Sequence, residues 1–444
     1  MEAEKEGKAV DAASGSPILI VTGGFGDGHR RAAEALALAV RDLDAGRPVH
    51  VVDLYAALSP KLYPLMLQGY RLTLSRAPEL LGGTYRLTAR LRAGRNKPAE
   101  VFPGFFRFPP ISLRRGPLIL LPRLRVPRPE FSFPERLRLG RSAPLGRPAP
   151  FRPPRVLAGH VLHLLEAMRP AAVAITAPVP ALFLARVKRR AGLAVPLAYV
   201  ATDLLPHPAV AEPEIDRFLV AHGRARAHLA ALGLPEERIR VTGIPIHPAF
   251  SAAAEVRRRR LQGDADAGKP LRIVVAGGGF GMAEGAKRLL EPLADGGRTL
   301  PPLRIAVLAG RNVGLRKTLG DLRLPPPHRL AVLPYLSPPQ VAALYAAADG
   351  LVTKPGGLTV AEALTVGVPL FLFDPLPGPE EENARFLLDE GLAASGGADA
   401  FFRWVGTVAD PTTRMALSLR LRSALPPNAA EAAAREILHL AGAR

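Results

Sequence analysis

The 444-residue sequence contains no cysteine, which excludes a disulfide framework, a thiolate zinc site and a cysteine nucleophile. That composition is compatible with the reducing cytoplasm. Residues 1–16 are polar and charged, lack the apolar region of a secretory signal, and are expected to be disordered. No run of about 18 apolar residues occurs, so the sequence predicts no membrane-spanning helix. We therefore expect a protein that is soluble or attached to a membrane surface from outside.

Acidic residues are scarce relative to basic ones: 39 Asp and Glu stand against 59 Lys and Arg, which gives a formal net charge of +20. Such an excess attracts polyanions, namely nucleic acid, acidic metabolites or an anionic membrane leaflet. A generally arginine-rich composition explains the same number without any partner. Aromatic residues interleaved with basic ones, as in RNA-binding segments, are absent, and this disfavours specific binding to nucleic acid.

Apolar residues make up 48% of the chain, and its length suits two domains. The first recognisable unit begins with an apolar strand at 17–22 and a glycine-rich turn at 23–28. An alanine-rich helix at 30–43 and a second apolar strand at 49–55 follow. Strand, glycine turn, helix and strand form the opening of a doubly wound parallel sheet. The predicted fold class is therefore α/β.

The remainder of the chain divides by composition. Segment 97–154, rich in proline and arginine, interrupts a first domain at 17–250 and is predicted to be irregular, because dense proline excludes helix and central strand. It is an ordered insertion, a disordered one or an aberrant segment. A linker at 251–270 precedes a second domain at 271–409, which again opens with a strand and glycines. Helices at 410–444 could cross back to the first domain.

The first glycine turn offers backbone N–H groups at a helix N-terminus. Gly26 and Gly28 do not complete a clean dinucleotide fingerprint, although Asp53 lies near the place of its acidic residue, so NAD binding is disfavoured. His29 lies in the first turn of the following helix. A neutral imidazole there can take a proton from an attacking hydroxyl. The alternative is a histidine that caps the helix or packs.

The strongest local signal is the segment 353–362, where a strand ends and a glycine pair opens a helix. Gly356 and Gly357 allow a phosphate to approach bare backbone. Thr359 follows in the first turn, and Glu362 is placed to accept both hydroxyls of a ribose. A solvated helix glutamate is the alternative for Glu362.

A cluster of acids and an amide lies in the loop 375–383. It contains Glu381, Glu382 and Asn383, and such groups suit hydroxyl-rich ligands such as sugars. The alternative is a charged N-terminal cap for the helix that follows.

Four segments together carry a resemblance to a known family: GGFGDGHRRAAEAL, VTGIPIHPAF, TKPGGLTVAEAL and PGPEEENARFL. They resemble the monogalactosyldiacylglycerol synthases and the processive diacylglycerol glucosyltransferases. They are similar, more distantly, to the N-acetylglucosaminyltransferase that completes the peptidoglycan lipid precursor. The resemblance covers about 17–95 and 156–392 and leaves the proline- and arginine-rich segment unmatched.

The resemblance implies a GT-B fold, with two Rossmann-like domains facing a cleft. The first would bind the acceptor and the second the nucleotide sugar. It implies an inverting hexosyltransferase that moves glucose or galactose from a UDP-sugar to diacylglycerol or a glycosyl-diacylglycerol, in glycolipid synthesis at the cytoplasmic face of the membrane. No cofactor or metal is required by the motifs, because helix N-termini and backbone N–H groups stabilise the departing UDP.

The resemblance also assigns roles to individual residues. His29 is the expected catalytic base and Asp203 a second catalytic residue, and Asp203 and His207 lie in a segment that faces the acceptor side of the cleft. The expected acceptor or phosphate loop contains Gly26 and Gly28. The residues expected to bind the nucleotide sugar are Gly277, Gly278, Gly279, Gly281, Gly356, Gly357, Thr359, Glu362, Glu381, Glu382 and Asn383. Where the family often has Gln before the acidic triplet, this chain has Pro379, which leaves the choice between glucose and galactose open.

The helical region that follows the first βαβ unit suits contact with an anionic membrane surface, because it carries tyrosines and leucines among basic residues. The basic residues proposed for that contact are Lys61, Arg71, Arg76, Arg86 and Arg90. The alternative is a core-packed helix pair with a solvated charged face.

Other functions stay open at this stage. The same fold can act on a peptidoglycan precursor or another hydrophobic acceptor. A GT-B sugar-nucleotide epimerase has a similar architecture and a soluble substrate. A non-enzymatic polyanion-binding protein is the third possibility, and it would bind nucleic acid with a steep salt dependence.

Overall fold

The computed structural model describes residues 15–24, 26–93, 155–263, 269–278, 284–294 and 300–442. The predicted insertion 97–154 lies outside these ranges, and the prediction that it is irregular stays a prediction. Gly279 and Gly281, both expected near the diphosphate, also lie outside them.

The first half of the chain builds a six-stranded sheet from short apolar runs. All pairs in it are parallel, and the strand order is β2-β1-β3-β4-β5-β6. Burial of both faces of a parallel sheet explains why most of these runs are continuously apolar. The strands are β1 (Ile18–Thr22), β2 (Val49–Asp53), β3 (Ala172–Ile175), β4 (Leu197–Val200), β5 (Arg217–Val220) and β6 (Ile239–Val241).

Helices connect these strands, and the last of them leads into the second half of the chain. They are α1 (Asp27–Leu43), α2 (Leu54–Leu58), α3 (Tyr63–Arg76), α4 (Pro78–Ala93), α5 (Arg155–Met168), α6 (Pro178–Ala191), α7 (Gly223–Ala231) and α8 (Ala249–Gln262). The second strand is shorter than the predicted 49–55. It ends at Asp53 because that carboxylate accepts hydrogen bonds from the backbone N–H groups of Tyr55 and Ala56 and so begins α2.

The second half repeats the design with another all-parallel sheet, in the order β12-β11-β10-β7-β8-β9. Its strands are β7 (Leu271–Ala276), β8 (Leu303–Gly310), β9 (Arg329–Pro334), β10 (Gly350–Thr353), β11 (Leu370–Leu372) and β12 (Ala393–Ser395). Its helices are α9 (Glu284–Ala294), α10 (Val313–Gly320), α11 (Pro338–Ala347), α12 (Gly357–Val366), α13 (Pro379–Asp389), α14 (Ala398–Ala409), α15 (Pro411–Arg422) and α16 (Ala429–Gly442).

The segment expected to be a linker, 251–270, begins inside a helix that packs on the second domain. Arg257 of α8 is fully buried there and donates Nε to the carbonyl of Gly367 at 2.9 Å. Its Nη1 donates to the carbonyl of Ala348. One side chain of α8 therefore fixes the C-terminal ends of α11 and α12.

The last helix, α16, returns to the first domain and packs on α1 and β3, where Ala433 and Ile437 join the core. The return passes close to the segment that leaves β6. Gly243 has a φ of 85°, and a Cβ atom at that position would lie 2.7 Å from the Cβ of Ala429. The two connections between the domains therefore touch each other at this point.

Candidate active site at the domain interface

The carboxyl ends of the two sheets face one another, and the backbones of the two domains approach closely at Gly357. A Cβ atom at this residue would lie 2.0 Å from the carbonyl oxygen of Thr202 and 2.8 Å from the Cα of Asp203. Only glycine fits this contact, because every other residue carries that atom. The start of α12 is thus pressed against the end of β4, and the predicted cleft residues come together there.

His29, predicted as the base, lies in the first turn of α1. Its Nδ1 is 2.8 Å from the hydroxyl of Thr202, and Thr176 donates its own hydroxyl to the backbone carbonyl of His29 at 3.0 Å. Thr202 is also within 3.5 Å of the carbonyl of Thr176, to which it can donate. In that arrangement Thr202 accepts the Nδ1 proton. Nε2 then keeps its lone pair and has no hydrogen-bond partner among the described residues.

The electrostatics of His29 and Asp203 are linked. Burial lowers the pKa of His29, and the charge of Asp203 opposes that effect. Burial raises the pKa of Asp203, while His29 and a hydrogen bond from Asn383 oppose it. The imidazole is therefore neutral near pH 7, which is the state a general base needs, and a carboxylate stands by to stabilise its protonated form.

Asn383, predicted beside the sugar, is fully buried and joins the two domains. Its Nδ2 donates to Asp203 Oδ1 and to the carbonyl of Pro355, both at 3.0 Å, and its Oδ1 accepts from the N–H of Leu204 at 2.9 Å. Its amide group is occupied by protein partners. In this geometry it holds Asp203 in place.

Glu362 lies at the base of a pocket at the end of the second sheet, with 2% of its side chain exposed. Gly278 and Thr359, both predicted to bind the nucleotide sugar, line the same pocket, and Tyr335 and Tyr345 are further members. Burial raises the pKa of Glu362 to about 7, and Arg31 opposes the rise. Arg31 donates Nη2 to Glu362 Oε1 at 2.7 Å, an ion pair that the sequence did not reveal.

The glycines of the predicted phosphate sites lie at strand-to-helix turns. Gly356 precedes the first residue of α12, Gly357, so the unpaired N–H groups of that helix point out of its N-terminus. Gly26 likewise precedes α1, and a Cβ atom at Gly28 would lie 3.9 Å from Leu358 of the second domain. Gly277 follows β7 and is buried.

The acidic triplet divides between three roles. Glu381 accepts from the N–H of Gly378 at 2.9 Å and from Arg86 at 3.1 Å, and Glu382 pairs with Arg385 at 2.8 Å. Both predicted sugar residues are thus engaged in a helix cap or a surface pair.

The preceding residue, Glu380, is turned inward. Its Oε2 accepts from the N–H of Leu376 at 2.7 Å, and burial raises its pKa while Lys354 opposes the rise. The prediction overlooked Glu380, and its only sequence signal was its membership of the triplet.

His207, predicted on the acceptor side, has both ring nitrogens engaged by protein groups. Nδ1 accepts from the N–H of Ala209 at 3.0 Å, which leaves the proton on Nε2. Nε2 lies 3.2 Å from the carbonyl of Tyr85 and 3.1 Å from the hydroxyl of Thr88. The residue therefore ties α4 to the loop that follows β4.

Helices α3 and α4 form a hairpin that carries large exposed apolar residues. Of the basic residues predicted to contact a membrane, Lys61 and Arg76 are exposed on or next to the hairpin, whereas Arg86 is paired with Glu79 and Glu381. For Arg71 and Arg90 the backbone is described but the side chain is not. The exposed leucines, which the sequence did not single out, are Leu62, Leu65, Leu72, Leu80 and Leu87.

Known proteins resemble this chain in sequence and in fold. Residues 154–246 match the sequence model of the monogalactosyldiacylglycerol (MGDG) synthase family. A processive diacylglycerol beta-glucosyltransferase of Bacillus pumilus is 32% identical over 230 residues, 52% of this chain and 58% of that protein. The protein of the same name in Bacillus subtilis is 30% identical over 214 residues, 48% of this chain and 54% of its own. The match thus spans little more than half the length of these relatives.

The chain resembles the diacylglycerol glycosyltransferases. The resemblance inferred from the sequence motifs is therefore confirmed. Among solved structures, MurG of Acinetobacter baumannii aligns with a TM-score of 0.55 at 15% identity, over 96% of this chain and 100% of that one. SnogD of Streptomyces nogalater aligns with 0.51 at 18%, over 97% and 100%. The UDP-GlcNAc 2-epimerase of Neisseria meningitidis aligns with 0.50 at 12%, over 95% and 98%.

At such identities these structures bear on the fold alone, and the predicted two-domain GT-B fold is confirmed. Across the described ranges, no helix is long and apolar enough to cross a membrane. The same residues include no group of three or more His, Asp or Glu side chains arranged to hold a metal ion.

Proposed function

We propose that the protein is an inverting hexosyltransferase that moves glucose or galactose from a UDP-sugar to diacylglycerol or a glycosyl-diacylglycerol. The observation that carries this proposal is the arrangement of His29. Its Nδ1 is held by Thr202, its Nε2 has no partner among the described residues, and Asp203 lies beside it. Two residues further along α1, Arg31 reaches the pocket that contains Glu362.

The reaction follows from that arrangement. The hydroxyl of the lipid gives its proton to His29 Nε2 while its oxygen attacks the anomeric carbon of the sugar. The bond between that carbon and the diphosphate oxygen breaks, and UDP leaves with the electron pair. Asp203 stabilises the imidazolium that forms.

The donor site belongs to the second domain. Glu362 accepts the ribose hydroxyls, and the N-terminus of α12, with Gly356, Gly357 and Thr359, faces the diphosphate. We expect transfer without a metal ion, because helix N–H groups supply positive potential to the leaving UDP. Loss of turnover in EDTA that magnesium restores would overturn that part of the proposal.

The exposed leucines of the α3–α4 hairpin support a lipid acceptor and peripheral attachment to a membrane, and we propose its cytoplasmic face as the site of attachment. These leucines can enter the headgroup boundary while Lys61 and Arg76 meet anionic lipid. A soluble epimerase substrate gives no reason for such a surface.

The decisive experiment incubates the protein with labelled UDP-glucose or UDP-galactose and vesicles that contain diacylglycerol, followed by chromatography of the lipids. His29→Ala should lower turnover by roughly a hundredfold or more and keep UDP affinity. Glu362→Ala should weaken UDP binding. His160→Ala, at an exposed position of α5, is the matched control and should change neither quantity.

Three outcomes contradict the proposal. Parental turnover by His29→Ala excludes His29 as the base. Conversion of the UDP-sugar without lipid vesicles into another UDP-sugar indicates the epimerase. Absence of labelled lipid with both donors excludes a diacylglycerol acceptor.

A further inference from the structure

Arg31 belongs to the first domain, but its guanidinium lies in the pocket of the second. The Nη2 atom is 2.7 Å from Glu362 Oε1, and the side chain is only 19% exposed. Among the described residues that line this pocket, Arg31 carries the only basic side chain. One cation from the opposite domain therefore occupies a pocket otherwise formed by the second domain.

The titratable groups that face Arg31 and Glu362 from neighbouring elements carry little charge of their own near pH 7. Tyr345 of α11 faces Glu362, and burial raises its pKa, so it is neutral near pH 7. His247, on the connection after β6, faces Arg31 and has a pKa lowered by burial. Glu34 of α1 lies near His247 and already pairs with Arg30. Glu362 compensates the charge of the Arg31 guanidinium. Removal of either partner leaves the other charge unpaired in a largely buried place, which destabilises the fold.

Binding of a nucleotide changes that balance. Under the proposed function, the ribose hydroxyls require the oxygens of Glu362, one of which already accepts from Arg31. Gly278 and Thr359 line the same pocket as Arg31, so a diphosphate bound there lies within the space its side chain shares. A guanidinium binds a phosphate through two parallel hydrogen bonds, and these can replace the ion pair between Arg31 and Glu362.

We propose that Arg31 exchanges Glu362 for the diphosphate of the UDP-sugar, so that the first domain supplies the cation that stabilises the leaving UDP. This inference rests on the proposed function. As the bond between the anomeric carbon and the diphosphate oxygen breaks, the electron pair stays on that oxygen, and Arg31 compensates the added charge. The proton of the acceptor goes to His29. The two residues face different partners because positions i and i+2 of a helix point apart.

The test compares the affinities of UDP and uridine by titration calorimetry. Arg31→Ala should weaken UDP binding at least about tenfold, the scale of a lost charged contact. Uridine lacks the diphosphate, so its affinity should change less than that of UDP. Arg31→Ala also removes the charge that opposes the raised pKa of Glu362, so both titrations are run at pH 8.5, where the carboxylate is ionised. Arg30→Ala is the matched control: Arg30 pairs with Asp27 and Glu34 outside the pocket, and its loss should move neither affinity.

A second comparison covers the case in which the lone charge of Glu362 unfolds the single variant. Glu362→Gln and the double variant Arg31→Ala/Glu362→Gln both lack that charge. The added Arg31→Ala change should still weaken UDP binding about tenfold if Arg31 contacts the diphosphate. Equal UDP affinities of the two variants would mean that Arg31 acts only through Glu362 and would overturn the inference.

The two proposals fail in different ways. A parental protein that binds neither UDP nor uridine overturns the proposed function, and the inference falls with it. A parental protein that binds UDP more tightly than uridine, with Arg31→Ala weakening both by the same factor, overturns the inference alone.

Discussion

The hydroxyl of Thr202 and the Nδ1 atom of His29 are 2.8 Å apart, which joins the end of β4 to the first turn of α1. This contact fixes the orientation of the imidazole and the nitrogen that carries its proton. The remaining nitrogen, Nε2, is the one available to the acceptor hydroxyl. The proposed chemistry therefore depends on a threonine that never touches the reacting atoms.

Replacement of that hydroxyl by a methyl group tests the dependence. Thr202→Val should lower kcat roughly tenfold or more, because the imidazole loses the group that orients it, and UDP affinity should be kept. Thr202→Ser keeps the hydroxyl and should restore most of the rate. A parental kcat in the valine variant would show that His29 is oriented by other contacts.

The pH dependence of turnover should follow the lowered pKa of His29. A base must be unprotonated, so kcat at saturating UDP-sugar should fall only below about pH 6.5, the ordinary pKa of histidine. Asp203→Asn removes the charge that raises this pKa, and the acidic limb should move to lower pH while the maximal rate falls. Asp389→Asn, an exposed control, should leave the profile in place. A limb that moves upward in Asp203→Asn contradicts the assignment.

The affinity for UDP should depend on pH through Glu362. Its pKa of about 7 means that the carboxylate, which accepts the ribose hydroxyls, is half formed at neutral pH. UDP should bind more tightly as pH rises through that value and lose up to about tenfold per unit below it. Glu362→Gln should flatten the profile. Calorimetry between pH 5.5 and 8.5 measures both, and a parallel slope in the two proteins would rule the carboxylate out.

Gly357 should tolerate no side chain. Gly357→Ala places a Cβ atom 2.0 Å from the carbonyl of Thr202, so the two domains must separate or α12 must shift. We expect weaker UDP binding and a lower kcat in a protein that still folds. Gly406→Ala is the control, since nothing lies within 4 Å of its added Cβ in α14. Unchanged kinetics in Gly357→Ala would mean that the domains do not meet at this point during turnover.

Membrane binding should require the exposed leucines of the α3–α4 hairpin. Leu65 and Leu80 are each 67% exposed, and the double variant Leu65→Glu/Leu80→Glu should no longer sediment with vesicles of phosphatidylglycerol and diacylglycerol. UDP affinity should be unaffected. Leu419→Glu changes a leucine that is 58% exposed on α15 and should sediment like the parent. Sedimentation of the hairpin variant at the parental level would place the membrane contact elsewhere.

The sequence predicted the parallel sheets, the glycine turns and the resemblance because these depend on local patterns. An apolar run before glycines indicates a buried strand, and the run before Gly356 is one. The 49–55 strand was too long because Asp53 begins a helix by accepting backbone hydrogen bonds, a choice that apolar periodicity does not register.

Contacts between segments that are distant in the chain could not be predicted from the sequence. Arg31 and Glu362 are 331 positions apart, and Asn383 and Asp203 are 180 apart. Nothing in a helix such as α1 distinguishes an arginine that enters the opposite domain from its neighbour Arg30, which pairs locally. Such pairs follow only from the way the two domains are placed against each other.

The contact between Gly243 and Ala429 limits how the cleft can open. The two connections between the domains run side by side there, so we expect the domains to stay close to each other at this point. We expect the cleft to open by a rotation about an axis near that contact, with an amplitude that grows with distance from the axis. A nucleotide sugar would then enter when one domain rotates away from the other. Closure by the reverse rotation would bring α12 back to the same position against α1 each time.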